Sequence, residues 1–264
     1  MLLVFSVLSI LCLAVVIWIH VRFPRLQNIY GFCLVCLSVT LAASFILSVI
    51  QIITDFVSTD VAIVFTIIRH YIWLSVFAWG TVIIFHVYRS FAINVVANKI
   101  CVLTIKDQSY RYAIFAWGLP IPFVVTGMIC HYRLEDFVYT RHWLTSEHIL
   151  PLFIFIIPAL CLSFLGISLF FGTLSKMEKM RKGTDELWNH HTTDILFIAV
   201  RLQLTLGVPW ISFLFLMVSN HPLKLPIVST INSLQGILIM VAFVTTKKIK
   251  NLLKQRNRTH PTTV

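Results

Sequence analysis

The stretch Asn232-Ser233-Leu234-Gln235-Gly236 lies inside an apolar run, residues 227–244, that contains no ionisable side chain. An α-helix rises about 1.5 Å per residue, so about 20 residues cross the hydrocarbon core of a bilayer. Asn232 and Gln235 are one helical turn apart and share a face, and their amides are costly in hydrocarbon unless they are paired. We therefore expect this face to look into a helix bundle, with Gly236 permitting close approach by a neighbouring helix. Polarity alone favours a packing seam over a functional surface.

The composition identifies a polytopic membrane protein. Of the 264 residues, 58% are hydrophobic and 12% are charged, and the mean hydropathy is +0.89, outside the range of soluble domains. The predicted fold class is all-α, a seven-transmembrane helix bundle over residues 1–244 with a C-terminal amphipathic interfacial helix over 245–256 and a disordered tail over 257–264. The predicted spans are residues 2–21, 30–53, 61–91, 112–130, 149–175, 195–218 and 227–244.

The distribution of Lys and Arg orients these spans. Cytoplasmic loops carry an excess of basic residues, so the side of the membrane with more of them is predicted to be cytoplasmic. Only Arg133, Arg141 and Lys224 fall in loops on the other side. This predicts an integral membrane protein of the plasma membrane with the N-terminus outside and the C-terminus in the cytoplasm. The basic residues on the predicted cytoplasmic side are Arg22, Arg25, Arg89, Lys99, Lys106, Arg111, Lys176, Lys179, Arg181, Lys182, Lys247, Lys248, Lys250, Lys254, Arg256 and Arg258.

Four motifs resemble the Methuselah-like receptors, which belong to the secretin and adhesion type of G-protein-coupled receptors. The stretch 232–236, followed by an apolar run and a Lys-rich end, is similar to their seventh helix. Trp117-Gly118-Leu119-Pro120 resembles their Trp-Gly-x-Pro, and residues 73–76 resemble their Trp-Leu-Ser-Val. Residues 206–210 resemble their Leu-Gly-x-Thr-Trp, with Pro209 in place of Thr. The resemblance extends over residues 26–256.

The resemblance implies a receptor that transmits an extracellular ligand signal to a cytoplasmic heterotrimeric G protein, without a cofactor. Its ligand-cavity candidates are Trp73, Trp210, Asn232 and Gln235. Its structural and packing candidates are Trp117, Gly118, Pro120, Gly207 and Gly236. Its G-protein-facing candidates are Arg89, Lys176, Lys179, Arg181 and Lys182.

Arg201 lies inside the predicted sixth span, about two helical turns from its cytoplasmic end. One interpretation is that its long side chain reaches the lipid headgroups and serves only as an anchor. The other is an activation latch, in which Arg201 pairs with neighbouring helices while the bundle is closed and releases when the sixth helix swings outward. The related receptors carry a basic residue in a similar place.

The chain also departs from the family pattern. Where the family has a disulfide between the third helix and a Cys-Trp of the second outer loop, this chain has His142-Trp143 and no cysteine over residues 54–66. We also expect no ectodomain before Leu2. These departures leave a second function open, a non-signalling truncated seven-helix protein that pairs with a full-length receptor. A receptor dimer and anionic lipid at residues 245–256 are further predicted partners.

Other classes are disfavoured by the residues themselves. His190, His191 and Asp194 are the nearest approach to a catalytic or metal cluster, and no partner group stands in another span. An opsin needs a lysine midway along the seventh helix, where this chain has none. Transporters show paired membrane charges, whereas only Arg69 and Arg201 lie inside the predicted spans, since Arg89 marks the inner end of the third span. The sequence therefore predicts no enzyme, no metal and no nucleic-acid partner.

Overall fold

The computed structural model describes residues 2–53, 59–94, 105–133, 152–183, 230–244 and 249. A 3-10 turn, Pro24–Leu26, separates the helices Leu2–Arg22 and Ile29–Ile53. A π-helical turn, Leu152–Ile156, leads into the helix Ile157–Gly183. Helices satisfy their backbone groups internally, which hydrocarbon requires of a membrane segment. The helices are α1 (Leu2–Arg22), α2 (Ile29–Ile53), α3 (Thr59–Asn94), α4 (Ile105–Gly118), α5 (Pro120–Arg133), α6 (Ile157–Gly183) and α7 (Gln235–Val244).

Within the described residues, five stretches are long and apolar enough to cross a membrane. They are Leu3–Arg22, Ile29–Gln51, Val61–Ser90, Asp107–Arg133 and Phe153–Lys176. Thr230–Val244 is a shorter apolar helix. The predicted sixth span lies outside the described residues, as do the tail and all of the predicted interfacial helix except Ile249, which is buried.

Prolines interrupt two of the membrane-spanning stretches. The stretch Asp107–Arg133 divides into α4 and α5 at Pro120, which has no N–H to continue the hydrogen-bond ladder. In the stretch Phe153–Lys176, a π-helical turn precedes Pro158. Both interruptions leave backbone carbonyls for neighbouring helices to satisfy.

The centre of the described structure is α3, which packs against α2, α4, α5 and α6, while α1 packs against α2 and α7. The fully buried side chains at these contacts include Leu37, Leu74, Trp79 and Ile239. Apolar side chains such as Leu11 on α1 are exposed on the outer surface. An apolar outer surface is what a lipid environment favours, so helix association rests on packing and on polar contacts between helices.

Buried hydroxyl groups are mostly satisfied by their own helices. Ser38 donates to the Leu34 carbonyl at 2.8 Å, Thr40 to Cys36 at 2.7 Å and Ser75 to Tyr71 at 2.9 Å. This back-bonding to the preceding turn removes the cost of a free hydroxyl in hydrocarbon. The polar groups that instead reach another helix therefore mark the specific contacts of the bundle.

Candidate functional site

The polar face of α7 and of the turn before it lies against α1. Ser233 is buried, and its hydroxyl oxygen is 3.2 Å from that of Ser6. The Ser9 hydroxyl donates to the Ser233 carbonyl. The chain is irregular at this point, because the Leu234 N–H bonds to the Ile231 carbonyl at 3.2 Å, a 3-10 contact. Two serines of α1 therefore hold the entry of α7, and we call Ser6, Ser9, Ser233, Gln235 and Gly236 the α1–α7 seam.

The closest approach within the seam is at Gly236. A Cβ added to this glycine would lie 2.8 Å from the Ser9 Cβ and 2.8 Å from the Ser9 carbonyl oxygen. Real Cβ atoms do not approach other heavy atoms so closely, and one of these obstacles is backbone. Only glycine allows α1 and α7 to pack at this distance.

Gln235 is fully buried, and neither its Nε2 nor its Oε1 has a hydrogen-bond partner within the part of the chain that the structure describes. An unsatisfied buried amide costs about 1–3 kcal/mol for each group. Asn232, one turn earlier, is half-buried. The two amides predicted to share a face thus differ in their surroundings, and Gln235 lies deeper.

The remaining ligand-cavity candidates lie apart from the seam or outside the described residues. Trp73 is half-buried on α3, with its ring centroid 6.3 Å from that of Phe77. Trp210 lies outside the described residues, and so do Arg201 and Gly207.

Three consecutive side chains of α3 bind three different neighbours. Arg69 Nη1 donates to Gln51 Oε1 on α2 at 2.7 Å. His70 is buried, and its Nε2 lies 3.2 Å from the carbonyl oxygen of Ile154 in the π-helical turn. The Tyr71 hydroxyl donates to the Trp117 carbonyl at the end of α4 at 2.9 Å. We call Arg69, His70 and Tyr71 the α3 triplet.

A proline explains one of these contacts, and a helix end explains another. In a regular helix the Ile154 carbonyl would accept from the N–H of residue 158, which is a proline. His70 supplies the missing donor. The Trp117 carbonyl belongs to the last turn of α4, where carbonyls lack intrahelical partners. No sequence motif gave a role to His70 or Tyr71, although Pro158, four residues after Ile154, was a usable signal.

The predicted packing residues of the fourth span occupy different surroundings. The Trp117 ring meets Trp79 of α3 edge-on, with centroids 5.3 Å apart, and Pro120 is buried. At Gly118, a Cβ would meet no atom of the described structure within 4 Å. Close packing therefore does not require glycine at Gly118, where α4 ends, whereas it does at Gly236.

Aromatic and basic side chains gather where α3 ends and α4 begins. The Gln108 amide donates to the Tyr112 hydroxyl at 2.7 Å. The Lys176 ammonium lies 3.9 Å from the centre of the Tyr88 ring, a cation–π contact between α6 and α3. Arg89 is half-buried, and Lys179, Arg181 and Lys182 lie in the last turns of α6. The G-protein-facing candidates that lie on α3 and α6 thus share one end of the bundle.

The described residues contain no group of three or more His, Cys, Asp or Glu side chains that could hold a metal ion. The chemistry of the described interior is instead that of hydroxyls, amides and imidazoles between long apolar helices. These features define a helical membrane protein held together by polar interhelical contacts.

Comparison with known families gives the class a name. A family model described as "7 transmembrane receptor (Secretin family)" matches residues 1–239. The chain therefore belongs to the secretin family of seven-transmembrane receptors, and its fold is a seven-helix bundle. This is a receptor family and not an enzyme family, and the predicted all-α, seven-helix fold class is confirmed.

Individual relatives support the narrower resemblance. "G-protein coupled receptor Mth2" of Drosophila yakuba is 24% identical over 271 residues, which cover 94% of this chain and 50% of the relative. "Probable G-protein coupled receptor Mth-like 4" of Drosophila melanogaster is 21% identical over 265 residues, with the same coverage. The chain thus spans about half the length of these curated relatives. The predicted resemblance to Methuselah-like receptors is confirmed.

Proposed function

We propose that this chain is a Methuselah-like G-protein-coupled receptor that transmits an extracellular ligand signal to a cytoplasmic heterotrimeric G protein. Its family membership and the names of its relatives support a receptor. A receptor of this kind carries out no reaction. Ligand binding biases an equilibrium between bundle conformations by no more than the ligand's differential affinity for them.

The buried amide of Gln235 is the observation that carries the proposal. In the α1–α7 seam, its carbonyl and amino groups are buried and have no hydrogen-bond partner among the residues that the structure describes. A bundle that moves between two conformations must exchange polar partners, and an amide left unsatisfied in one conformation gains by becoming satisfied in another. In this proposal Trp73, Trp210 and Asn232 line the ligand cavity together with Gln235.

The basic end of the bundle is proposed to face the G protein. Arg89 and Lys176 lie on α3 and α6 at one end of the bundle, near the last turns of α6. The positive-inside rule supports a cytoplasmic location for this end in a protein of the plasma membrane. Anionic lipid at residues 245–256 and a receptor dimer belong to the same proposal.

Orientation can be tested at Asn257-Arg258-Thr259, the one N-glycosylation sequence of the chain whose middle residue is permitted. In the proposed orientation this sequence is cytoplasmic and stays unmodified. The measurement is the electrophoretic mass of the full chain before and after glycosidase treatment. A glycosidase-sensitive mass shift that disappears in Asn257→Gln would overturn the orientation.

Signalling can be tested at Arg201. If Arg201 is the activation latch, the Arg201→Leu variant should raise basal nucleotide exchange on the G protein by about fivefold. This corresponds to a shift of about 1 kcal/mol in the equilibrium between the closed and the open bundle. Arg201→Lys should be intermediate, because a point charge cannot replace the guanidinium fork. The measurement is basal exchange normalised to the amount of receptor at the cell surface.

The two interpretations of Arg201 give different results in this experiment. If Arg201 is only an anchor, Arg201→Lys should behave like the wild type. Arg201→Leu should then change the amount of receptor at the cell surface without changing basal nucleotide exchange per receptor. A wild-type chain that couples to no G protein would favour the second function, the non-signalling partner of a full-length receptor. Two sequence features favour this second function, Pro209 where the family pattern has Thr and His142-Trp143 where the family has the Cys-Trp of its disulfide.

A further inference from the structure

Two buried hydrogen bonds hold α3 beside α6. His70 Nε2 lies 3.2 Å from the Ile154 carbonyl oxygen, just before α6 begins. Further along α3, the Thr81 hydroxyl donates to the Leu162 carbonyl of α6 at 3.1 Å. Both His70 and Thr81 are buried. Because buried hydrogen bonds in a medium of low dielectric constant are costly to break, the two helices run side by side in a fixed arrangement.

A third contact between these helices lies at the basic end of the bundle, where the Tyr88 ring rests against Gly172. A Cβ added to Gly172 would lie 3.0 Å from Tyr88 Cε2 and 3.5 Å from Tyr88 Cδ2. The first distance is shorter than most real Cβ contacts, so the missing side chain at Gly172 makes room for the ring. Tyr88 comes seven residues after Thr81, about 10 Å further along α3.

Lys176 covers the same ring. Its Nζ lies 3.9 Å from the centre of the Tyr88 ring, within the range of about 6 Å over which an aromatic face attracts a cation. Gly172 and Lys176 are one helical turn apart on α6, so they share a face. Both Tyr88 and Lys176 are half-buried. The ring therefore gives a long and flexible side chain a defined position between the two helices.

A lysine that is positioned in advance binds a partner at a lower cost. The flexible stem of a lysine loses conformational entropy when a partner orders it. A contact that orders the stem beforehand reduces this loss at the moment of binding. The ammonium carries three donors, and the ring faces one side of it. A cation–π contact is thus compatible with a hydrogen bond from Lys176 to a partner.

We propose that Tyr88 is a positioning residue for Lys176, whose ammonium it holds between α3 and α6 and presents to the cytoplasmic partner. The ring is seated against Gly172, and the two buried hydrogen bonds keep α3 and α6 at the distance that this contact requires. The positioning of Lys176 follows from these contacts alone. The role of the partner rests on the proposed function, in which this end of the bundle faces the G protein.

The test measures how fast Lys176 reacts with a water-soluble acylating reagent in the full chain in detergent, with the modified lysine identified by mass spectrometry. The amine has to leave the ring before it can react. Tyr88→Leu should therefore raise the rate at Lys176 about two- to fivefold, the factor that corresponds to a cation–π contact near a surface. Tyr88→Phe keeps a ring and should keep the wild-type rate. Lys179 in the same chain serves as the internal reference.

Two further variants separate the attraction between ring and cation from a loss of packing. A fluorinated phenylalanine at position 88 keeps the shape of the ring but withdraws electron density from its face. It should raise the rate at Lys176 above that of Tyr88→Phe. Tyr110→Leu removes an exposed tyrosine of α4 and should leave the rate unchanged. Equal rates at Lys176 in wild type, Tyr88→Leu and the fluorinated variant would overturn the positioning, and the fluorinated variant decides if Tyr88→Leu fails to fold.

Nucleotide exchange on the G protein, normalised to surface receptor, tests the consequence for coupling. Tyr88→Leu and Lys176→Met should each lower exchange about two- to fivefold, and the double variant should lose no more than either single variant, because both remove one contact. Faster acylation of Lys176 with unchanged exchange would overturn the role toward the partner. A wild type that couples to no G protein would count against the proposed function, whereas the acylation rates would still decide the positioning.

Discussion

The α3 triplet and the α1–α7 seam are both polar stretches inside an apolar bundle, but they are hydrogen-bonded in different ways. In the triplet, each side chain has a partner on another element, and two of the partners are carbonyls at helix interruptions. In the seam, two serines of α1 hold Ser233, yet the fully buried Gln235 has no partner among the described residues. Each side chain of the first region therefore has a hydrogen-bond partner on another element, whereas the Gln235 amide of the second has none among the described residues.

This difference separates a scaffold from a region suited to change. A satisfied polar contact in a medium of low dielectric constant is costly to break, so the triplet should fix α3 against α2, α4 and the π-helical turn before α6. An unsatisfied amide loses nothing when its helix shifts and can gain a partner. We therefore infer that movement in this bundle, if ligand binding drives it, involves α7 more than the contacts of α3.

The largest expected loss in the free energy of unfolding concerns Gly236, where α1 and α7 approach each other in the seam. Gly236→Ala places a Cβ within 2.8 Å of the Ser9 backbone oxygen, and a backbone obstacle cannot rotate away. We expect a loss of about 2–3 kcal/mol in the free energy of unfolding, in the upper part of the range for overpacking. The measurement is thermal or denaturant unfolding of the full chain in detergent.

Gly118→Ala is the matched control for this substitution. A Cβ at Gly118 meets no atom of the described structure within 4 Å, so this variant should change stability by less than about 0.5 kcal/mol. If both alanine variants are equally stable, the seam is not as tightly packed as the structure shows.

The second effect concerns the triplet. His70→Phe keeps an aromatic ring beside Phe155 but removes the donor to the Ile154 carbonyl. We expect a loss of about 1–2 kcal/mol, because a buried carbonyl is left without its partner. Unfolding in detergent measures this loss.

A double-mutant cycle with Pro158→Ala sharpens this prediction. Alanine at position 158 returns the N–H that a regular helix would direct to the Ile154 carbonyl. The double variant should therefore lose less stability than the two single variants together. If the stability loss of the double variant equals the sum of the losses of the two single variants, His70 does not act through the Ile154 carbonyl.

The smallest expected effect on the free energy of unfolding concerns Gln235. Its sign is opposite to that of the effects expected for Gly236→Ala and His70→Phe. Gln235→Leu replaces an amide that has no described partner by an apolar side chain of similar size. We expect the free energy of unfolding to stay unchanged or to rise by up to about 1 kcal/mol. A loss larger than about 1 kcal/mol would show that the amide is paired in the folded protein and that the two regions do not differ as described.

Much of the architecture could be predicted from single stretches of sequence. Long apolar runs predict membrane-spanning helices. The excess of Lys and Arg in the loops on one side predicts the orientation of these helices, and it depends on loop composition alone. The motifs at 117–120 and 232–236 predicted the receptor family, which the match over residues 1–239 confirms. Pro120 and Pro158 stand at the two helix interruptions, because a missing N–H is a property of the residue itself. The ligand-cavity and latch assignments that involve Trp210 and Arg201 stay predictions.

The sequence by itself determined the class of protein, the apolar helices and the positions at which prolines break them, since these follow from local chemistry. Only the tertiary structure decided which distant groups meet. Ser6 contacts Ser233, 227 residues away in the chain, and His70 reaches Ile154, 84 residues away. The tertiary structure also left the Gln235 amide without a partner among the described residues. The reason is geometric. Each pairing depends on the rotation and depth of two helices relative to each other, which are set by packing across the whole bundle and are not encoded in either helix alone.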